Sequence, residues 1–289
     1  MAGKLLAVAV SGIMLAAALP KFNLTYFLWG GLLPFLWALQ GVRGRKAFLL
    51  GFCHGLAQNV FMLYWIIYVT VVYGKLPAPV GVAVLLLLAG YLSLFRGFWA
   101  WLYAWGEQRG LGGYWWGPAL WVSLEFLQAY LFTGFPWMLL GYGLHQSPYM
   151  LQLVDITGVY GLSALIILVN IAIYQLFMGW AGQRPGLRPA VVAVVCVIAT
   201  LAYGYIRLPE VRRQMAQSPT VKVAVVQGNI EQGRKWDPQY QGETIAIYGE
   251  LTGKTKLQDP VLVVWPETAA PFFYMREKDL SSRVDDIAR

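Results

Sequence analysis

Seven apolar runs, the first two short and the sixth long, restrict the fold of this chain more than any other feature. They lie at about 5–19, 25–40, 47–72, 78–105, 114–133, 150–180 and 189–206. A helix that crosses a bilayer needs about 20 mostly apolar residues, and in hydrocarbon its backbone amides must be satisfied within the protein. The runs predict a polytopic α-helical membrane bundle over residues 1–206. Composition agrees, since 58% of the 289 residues are hydrophobic and 12% are charged. An ordinary soluble domain carries about twice that charge. A disordered chain, a collagen-like chain and a plain soluble globule are excluded. Thirteen Trp, 17 Tyr and 14 Phe suit membrane interfaces, where amphipathic rings are favoured. Pro20, Pro34, Pro77, Pro79, Pro136 and Pro189 punctuate the runs or their ends. Proline at a helix start costs little, because the first N–H groups lack partners anyway.

The charge is uneven. Residues 1–220 carry +9, with only Glu107, Glu125, Asp155 and Glu210 as acids, whereas residues 221–289 carry −1. Alternate loops hold Lys4, then Arg43, Arg45 and Lys46, then Arg109, then Arg184 and Arg188. The opposite loops hold Lys21 and Lys75. The positive-inside rule puts the N-terminus in the cytoplasm, and seven crossings put everything after about residue 207 outside. Arg207, Arg212 and Arg213 oppose this, but they precede a long segment, and such segments translocate largely regardless of charge. The first run, with Lys4 ahead of it and Ala16-Ala17-Ala18 at its end, also reads as a signal peptide. No basic block interleaved with aromatics is present, so no nucleic-acid partner is expected. Cys53 and Cys196 both lie inside apolar runs, which leaves neither a disulfide framework nor a thiolate zinc site. His54 and His145 have no set of metal ligands around them and read as structural. No metal and no cofactor is expected.

Arg96, Glu125 and Asp155 sit within or near the apolar runs, where each costs about 3 kcal/mol to insert. They form either a polar cavity or headgroup site, or an interhelix pair and snorkelling side chains. The stretch Leu131-Phe-Thr-Gly-Phe-Pro-Trp-Met-Leu-Leu-Gly-Tyr-Gly143 is apolar yet full of helix breakers. It cannot face lipid as extended backbone. It is expected to fold back into the interface, anchored by Phe135 and Trp137, as a structural loop or as part of a lipid-entry groove.

The pattern changes near residue 207. Residues 207–220 are polar, contain Pro209 and Pro219, and read as a linker. Val221-Lys-Val-Ala-Val-Val226 and Val261-Leu-Val-Val-Trp265 suit short strands buried on both faces. Residues 240–256 suit a helix, with Ile245, Ile247, Tyr248 and Leu251 near one face. Strand, helix and strand predict the start of an α/β domain over 221–289. Glu267 lies just beyond the second strand, where such sheets place their active sites. Beside Trp265 a carboxylate there would be partly desolvated and suited to act as a general base; a solvated loop glutamate is the alternative.

Val225-Val-Gln-Gly-Asn-Ile230, Lys235-Trp236-Asp237 and Val263-Val-Trp-Pro-Glu-Thr-Ala269 resemble the opening of a carbon–nitrogen hydrolase, or nitrilase-type, domain. Behind a multispan bundle carrying Leu-Phe-Thr-Gly-Phe-Pro-Trp, the set is similar to the bacterial apolipoprotein N-acyltransferase family. Gly51-x-x-x-Gly55 and Asp155-x-x-Gly158-x-Tyr160-Gly161-Leu162 fit that resemblance too. It implies a bacterial inner-membrane protein with a nitrilase-type α/β sandwich outside the membrane. It implies a Glu–Lys–Cys triad, in which the cysteine takes a fatty acyl group from a phospholipid donor as a thioester. The α-amino group of a diacylglyceryl-cysteine on an apolipoprotein acceptor then takes the acyl group. The resemblance places the general base on Glu267 and a substrate-pocket tryptophan on Trp236. The family's Lys and Cys have no counterpart in these 289 residues, and residues 221–289 are too few to bury a sandwich. The chain is therefore expected to be a truncated, incompletely predicted or split protein, catalytically incomplete alone. The alternatives are a non-catalytic lipid- or partner-binding membrane module with a decayed hydrolase-like tail, and a multispan transporter.

Overall fold

In the computed structural model, which describes residues 1–180 and 187–289, the apolar runs become helices of unequal length. Arg184, one of the loop cations, lies outside the described residues. The helices are α1 (Ala2–Ala18), α2 (Leu33–Leu39), α3 (Gly44–Leu63), α4 (Trp65–Tyr68), α5 (Ala78–Gln108), α6 (Gly113–Tyr130), α7 (Pro148–Leu151), α8 (Val154–Trp180) and α9 (Arg188–Gln217). Among the described residues, three helices, α5, α8 and α9, are long and apolar enough to cross a membrane. A fourth joins them if α3 and the segment Trp65–Tyr73, bent by 48°, count as one span. The remaining runs give helices shorter than the about 20 residues that a straight crossing needs. α1 has 17 residues, about 25 Å at 1.5 Å per residue, against a hydrocarbon core of about 30 Å. The 25–40 run breaks into a 3₁₀ turn, Thr25–Trp29, and the seven-residue α2. The 114–133 run gives α6, with 18 residues.

Small residues set how closely these helices approach. A Cβ on Gly51 would stand 2.4 Å from the carbonyl oxygen of Arg96, and one on Gly55 would stand 3.0 Å from the Arg96 Cβ and Cγ. The Gly51/Gly55 spacing thus lets α3 lie directly on α5 at Arg96, the close backbone approach that small residues permit in membranes. Gly12 does the same for α1, where a Cβ would meet the His54 carbonyl oxygen at 2.4 Å. The broken 25–40 stretch needs partners for its amides, and Asn170 of α8 supplies them. Its Nδ2 donates to the Leu28 carbonyl (2.6 Å), and its Oδ1 accepts from the Leu32 amide (3.1 Å). Trp99, Trp121, Phe35, Leu28, Leu140 and Ile166 fill the interior of this unit.

The chain divides into two units, Met1–Arg213 and Gln214–Arg289. The division falls inside α9, so the 207–220 segment read as a linker is helical as far as Gln217. Pro209 removes one backbone donor without ending the helix, and the residues after it are mostly good helix formers.

The second unit begins with β1 (Val223–Val225), followed by α10 (Gln241–Thr255), β2 (Leu262–Val264) and α11 (Lys278–Ala288). β1 and β2 pair in parallel, Val223 with Leu262 and Val225 with Val264. α10 buries Ile245 and Tyr248. Tyr248 stacks on Trp265 at 5.1 Å, and Trp265 Nε1 donates to Thr252 Oγ1 at 2.9 Å. The parallel β–α–β order matches the sequence reading, but burial of both strand faces does not occur. Val223, Val225, Leu262 and Val264 are exposed, Val225 by 78%. A two-stranded sheet with one crossover helix has cover for one face only, and the outward face of this one is wholly apolar.

Candidate functional site

Parallel pairing puts the C-terminal ends of β1 and β2 side by side, so the segments that follow them share one edge. After β1 comes Gln227–Asp237, and after β2 comes Pro266–Ala269. The two are joined directly: Lys235 Nζ donates to the main-chain carbonyl of Glu267 at 3.1 Å. Ala269 and Val226 are buried together against Tyr248, which fixes the base of both loops. Asp237 caps the short 3₁₀ turn Pro238–Tyr240 by accepting from the Gln239 amide at 3.0 Å. The sequence separation of Lys235 and Glu267 gives no sign of this contact; only the strand register brings them together.

The Glu267 side chain is exposed, which corrects the expectation of partial desolvation beside Trp265. The Trp265 ring turns inward to Tyr248 and Thr252, and with two strands there is no neighbouring loop to cover the carboxylate. Trp236 is also exposed, at 57%. A cavity of about 220 Å³ opens beside this edge, walled by Asn229, Ile230, Arg234, Tyr240 and Glu243. Neither Glu267 nor Trp236 lines it.

The first unit holds a separate set of polar groups. Arg96 of α5 and Glu125 of α6 are buried, and Arg96 Nη2 lies 3.8 Å from Glu125 Oε1. The guanidinium also sits 3.9 Å over the Trp121 ring. Glu125 Oε1 accepts from Trp121 Nε1 and from the Leu140 amide, each at 2.9 Å. Among the described residues, Glu125 Oε2, Arg96 Nη1, the Tyr91 hydroxyl and both His54 ring nitrogens are buried without a hydrogen-bond partner. His54 stacks on Phe35 at 4.2 Å. The interhelix-pair reading therefore describes Arg96 and Glu125. The Trp121–Glu125 spacing of one helical turn could have signalled the bond between them, whereas nothing in the sequence signals Leu140.

Asp155 pairs elsewhere. It accepts from the Tyr203 hydroxyl (2.8 and 3.0 Å) and from Arg207 Nε (2.8 Å), and Arg207 also lies 3.3 Å from Glu210. Arg207, which ran against the topology argument, is thus engaged by two carboxylates. A second cavity, about 790 Å³, lies among the ends of α2, α5, α6 and α8. Its wall includes Arg43, Tyr103, Glu107, Tyr174 and Arg188, and Glu107 accepts a backbone hydrogen bond from Gly113. Cys53 and Cys196 are half-buried free thiols on α3 and α9. His145 is exposed, with Nδ1 3.2 Å from the Tyr142 carbonyl oxygen. Among the described residues no group of three or more His, Cys, Asp or Glu side chains could hold a metal ion.

Comparison with known proteins bears on both units. Residues 11–172 match the family model of the apolipoprotein N-acyltransferase N-terminal domain. A relative from Geobacter metallireducens named apolipoprotein N-acyltransferase is 43% identical over 286 residues, covering 97% of this chain and 54% of the relative. Relatives of the same name from Pseudomonas syringae pv. tomato and Haemophilus ducreyi are 30% and 29% identical, over 93% and 88% of this chain and 52% and 48% of their own. The chain spans about half the length of the curated relatives it matches. The helical first unit with its matched residues 11–172, and similarity continuing through most of the second unit, place this chain in the apolipoprotein N-acyltransferase family.

Proposed function

We propose that this chain forms the membrane part and the opening of the catalytic part of an acyltransferase. The enzyme would move a fatty acyl group from a phospholipid to the N-terminal diacylglyceryl-cysteine of lipoproteins, through a cysteine thioester. The observation that carries this reading is the shared edge of the parallel β1–β2 pair. The Trp236 loop and the Glu267 loop, both resembling the nitrilase-type pattern, meet there and are tied by Lys235. In this reading Glu267 is the general base, and Trp236 lines the substrate pocket. The exposed apolar face of β1 and β2 supports the assignment of residues 221–289 to the beginning of a sandwich, because a second layer would bury it. The lysine and cysteine of the triad have no counterpart among the 289 residues, so by itself this chain would not complete the reaction.

The test is a chimera in which the unmatched remainder of the Geobacter metallireducens relative is joined to Arg289. Incubated with phospholipid carrying a labelled acyl chain, it is expected to trap a hydroxylamine-sensitive acyl-enzyme. The 289-residue chain alone is expected to trap none. Changing Cys53 and Cys196 to serine should leave the trapped label unchanged. Both lie inside apolar helices and not at the helix N-terminus that makes a thiolate nucleophilic, and His54, next to Cys53 on α3, points about 100° away from it. Loss of label in that variant would refute the triad reading.

The bundle is proposed to lie in the bacterial inner membrane with its N-terminus in the cytoplasm and residues after about 207 outside. The warrant is the bias of seven loop cations to two, read by the positive-inside rule. A reporter that works only when exported is expected to be active when fused after residue 220. Activity of a cytoplasm-only reporter at that junction would reverse the orientation.

A further inference from the structure

We propose that the buried Arg96–Glu125 pair is a positioning clamp, holding the 131–144 segment against the helices and so fixing the aromatic rim that this segment presents. The segment follows α6 and is mostly irregular; local turns satisfy some of its amides, such as those of Gly134 and Tyr142, and the others depend on acceptors supplied by the bundle. Two of them reach inward to side chains: the Leu140 amide to Glu125 Oε1 and the Gly141 amide to Ser163 Oγ, each at 2.9 Å. Gln128 closes the outer part, accepting from the Phe135 amide with its main-chain carbonyl (2.9 Å) and donating to the Phe135 carbonyl through Nε2 (3.2 Å).

The segment does not hold its shape unaided. Phe132 and Met138 sit at φ of +57° and +63°, a region that non-glycine residues keep only where the surroundings impose it. What it presents is a rim, with Phe132 86% and Trp137 55% exposed. The Trp137 ring lies 5.6 Å from that of Trp65, at the start of α4.

Glu125 serves as acceptor at this point because a carboxylate binds an N–H more strongly than a neutral group does. Arg96 makes the charge tolerable. α3 fixes Arg96 in turn, since Gly51 and Gly55 allow that helix to press on its backbone and side-chain stem. Stability alone would not call for charges here, because well-packed apolar side chains commonly replace a buried ion pair without loss. The charged pair is explained by the amide it holds.

The experiment is hydrogen–deuterium exchange of the 289-residue chain in phosphatidylethanolamine–phosphatidylglycerol nanodiscs. Peptides from 131–144 are compared with peptides from α3 and α5. Arg96→Met with Glu125→Leu removes the acceptor while leaving no unpaired charge. Leu140→Pro removes the donor and also shortens a side chain buried in the interior; proline is favoured at the first residue of a helical turn, and Leu139 already has the extended backbone that precedes proline (ψ 139°). Both variants are expected to raise exchange over 138–144 at least about tenfold, with α3 and α5 unchanged. Arg96→Met with Glu125→Gln keeps an acceptor oxygen and is expected to stay within about twofold of the parent chain. Three results would overturn the proposal: unchanged exchange over 138–144 in the Met/Leu variant, an equal rise in α3 and α5, or failure of that variant to fold.

Discussion

In the chimera that supplies the rest of the catalytic part, Glu267→Gln is expected to slow acyl-enzyme formation by at least about 10² while leaving membrane insertion intact. Glutamine keeps the size and the polar character of the side chain and removes the base. General-base catalysis contributes about 10²–10⁴ in rate, or roughly 3–5 kcal/mol of barrier. The backbone at this position is set independently of the carboxylate, because Lys235 donates to the main-chain carbonyl of Glu267 and Ala269 is buried beside Val226 and Tyr248. The substitution should therefore act on chemistry and not on the fold of the loop. Glu243 and Asp237 are the controls. Glu243 is exposed in the first turn of α10, and its neutralisation should cost little. Asp237→Asn keeps an oxygen to accept from Gln239. Labelled phospholipid, quenched at short times, gives the rate. A normal rate with glutamine at 267 would leave Glu267 as a solvated loop residue, and both controls falling as far as Glu267→Gln would mean a loss of fold.

How much of this could be read from the sequence depends on the range of the interaction concerned. The apolar runs announce helices because helix formation is local, and the β–α–β order could be read for the same reason. What the runs hide is where they break. The 25–40 run has the composition of a span, yet Gly30, Gly31 and Pro34 interrupt it, and the peptide groups of Leu28 and Leu32 that the break frees are met by Asn170, more than a hundred residues away. Strand burial cannot be read in the same way, because an apolar strand looks the same whether its second face is covered or bare. Glu267 could be placed at the sheet edge from its position after a strand. Its solvation could not, since that depends on which neighbouring loops lie over it. Arg96 and Glu125 stood out as expensive residues, but their pairing is set by the Gly51/Gly55 contact and the register of α5 against α6. The glycine spacing is visible in the sequence, but the helix it meets and the register of α5 against α6 are not.

The costliest single change in the first unit is expected to be Glu125→Leu. The Glu125 side chain is fully buried and that of Arg96 is 5% exposed, so losing the carboxylate strands a guanidinium with little access to water. Removing one partner of a buried pair costs about 3–5 kcal/mol, and the Leu140 and Trp121 N–H groups lose their acceptor as well. The whole stability of a domain is about 5–15 kcal/mol, so this variant should lie near the edge of folding. Asp155→Asn offers the contrast. It weakens an ion pair whose side chains are 38% and 30% exposed, and exposed pairs contribute about 0–1 kcal/mol. Adding Arg96→Met to Glu125→Leu should recover most of the loss, because the stranded charge is then gone and only two neutral donors remain unpaired. Unfolding titrations in mixed micelles are expected to rank the variants in the order Asp155→Asn, the Met/Leu double variant and Glu125→Leu, from mildest to most damaging. If Glu125→Leu were as mild as Asp155→Asn, the pair would have to be hydrated. If the double variant were as damaging as Glu125→Leu, the cost would lie in the lost acceptor and not in the stranded charge.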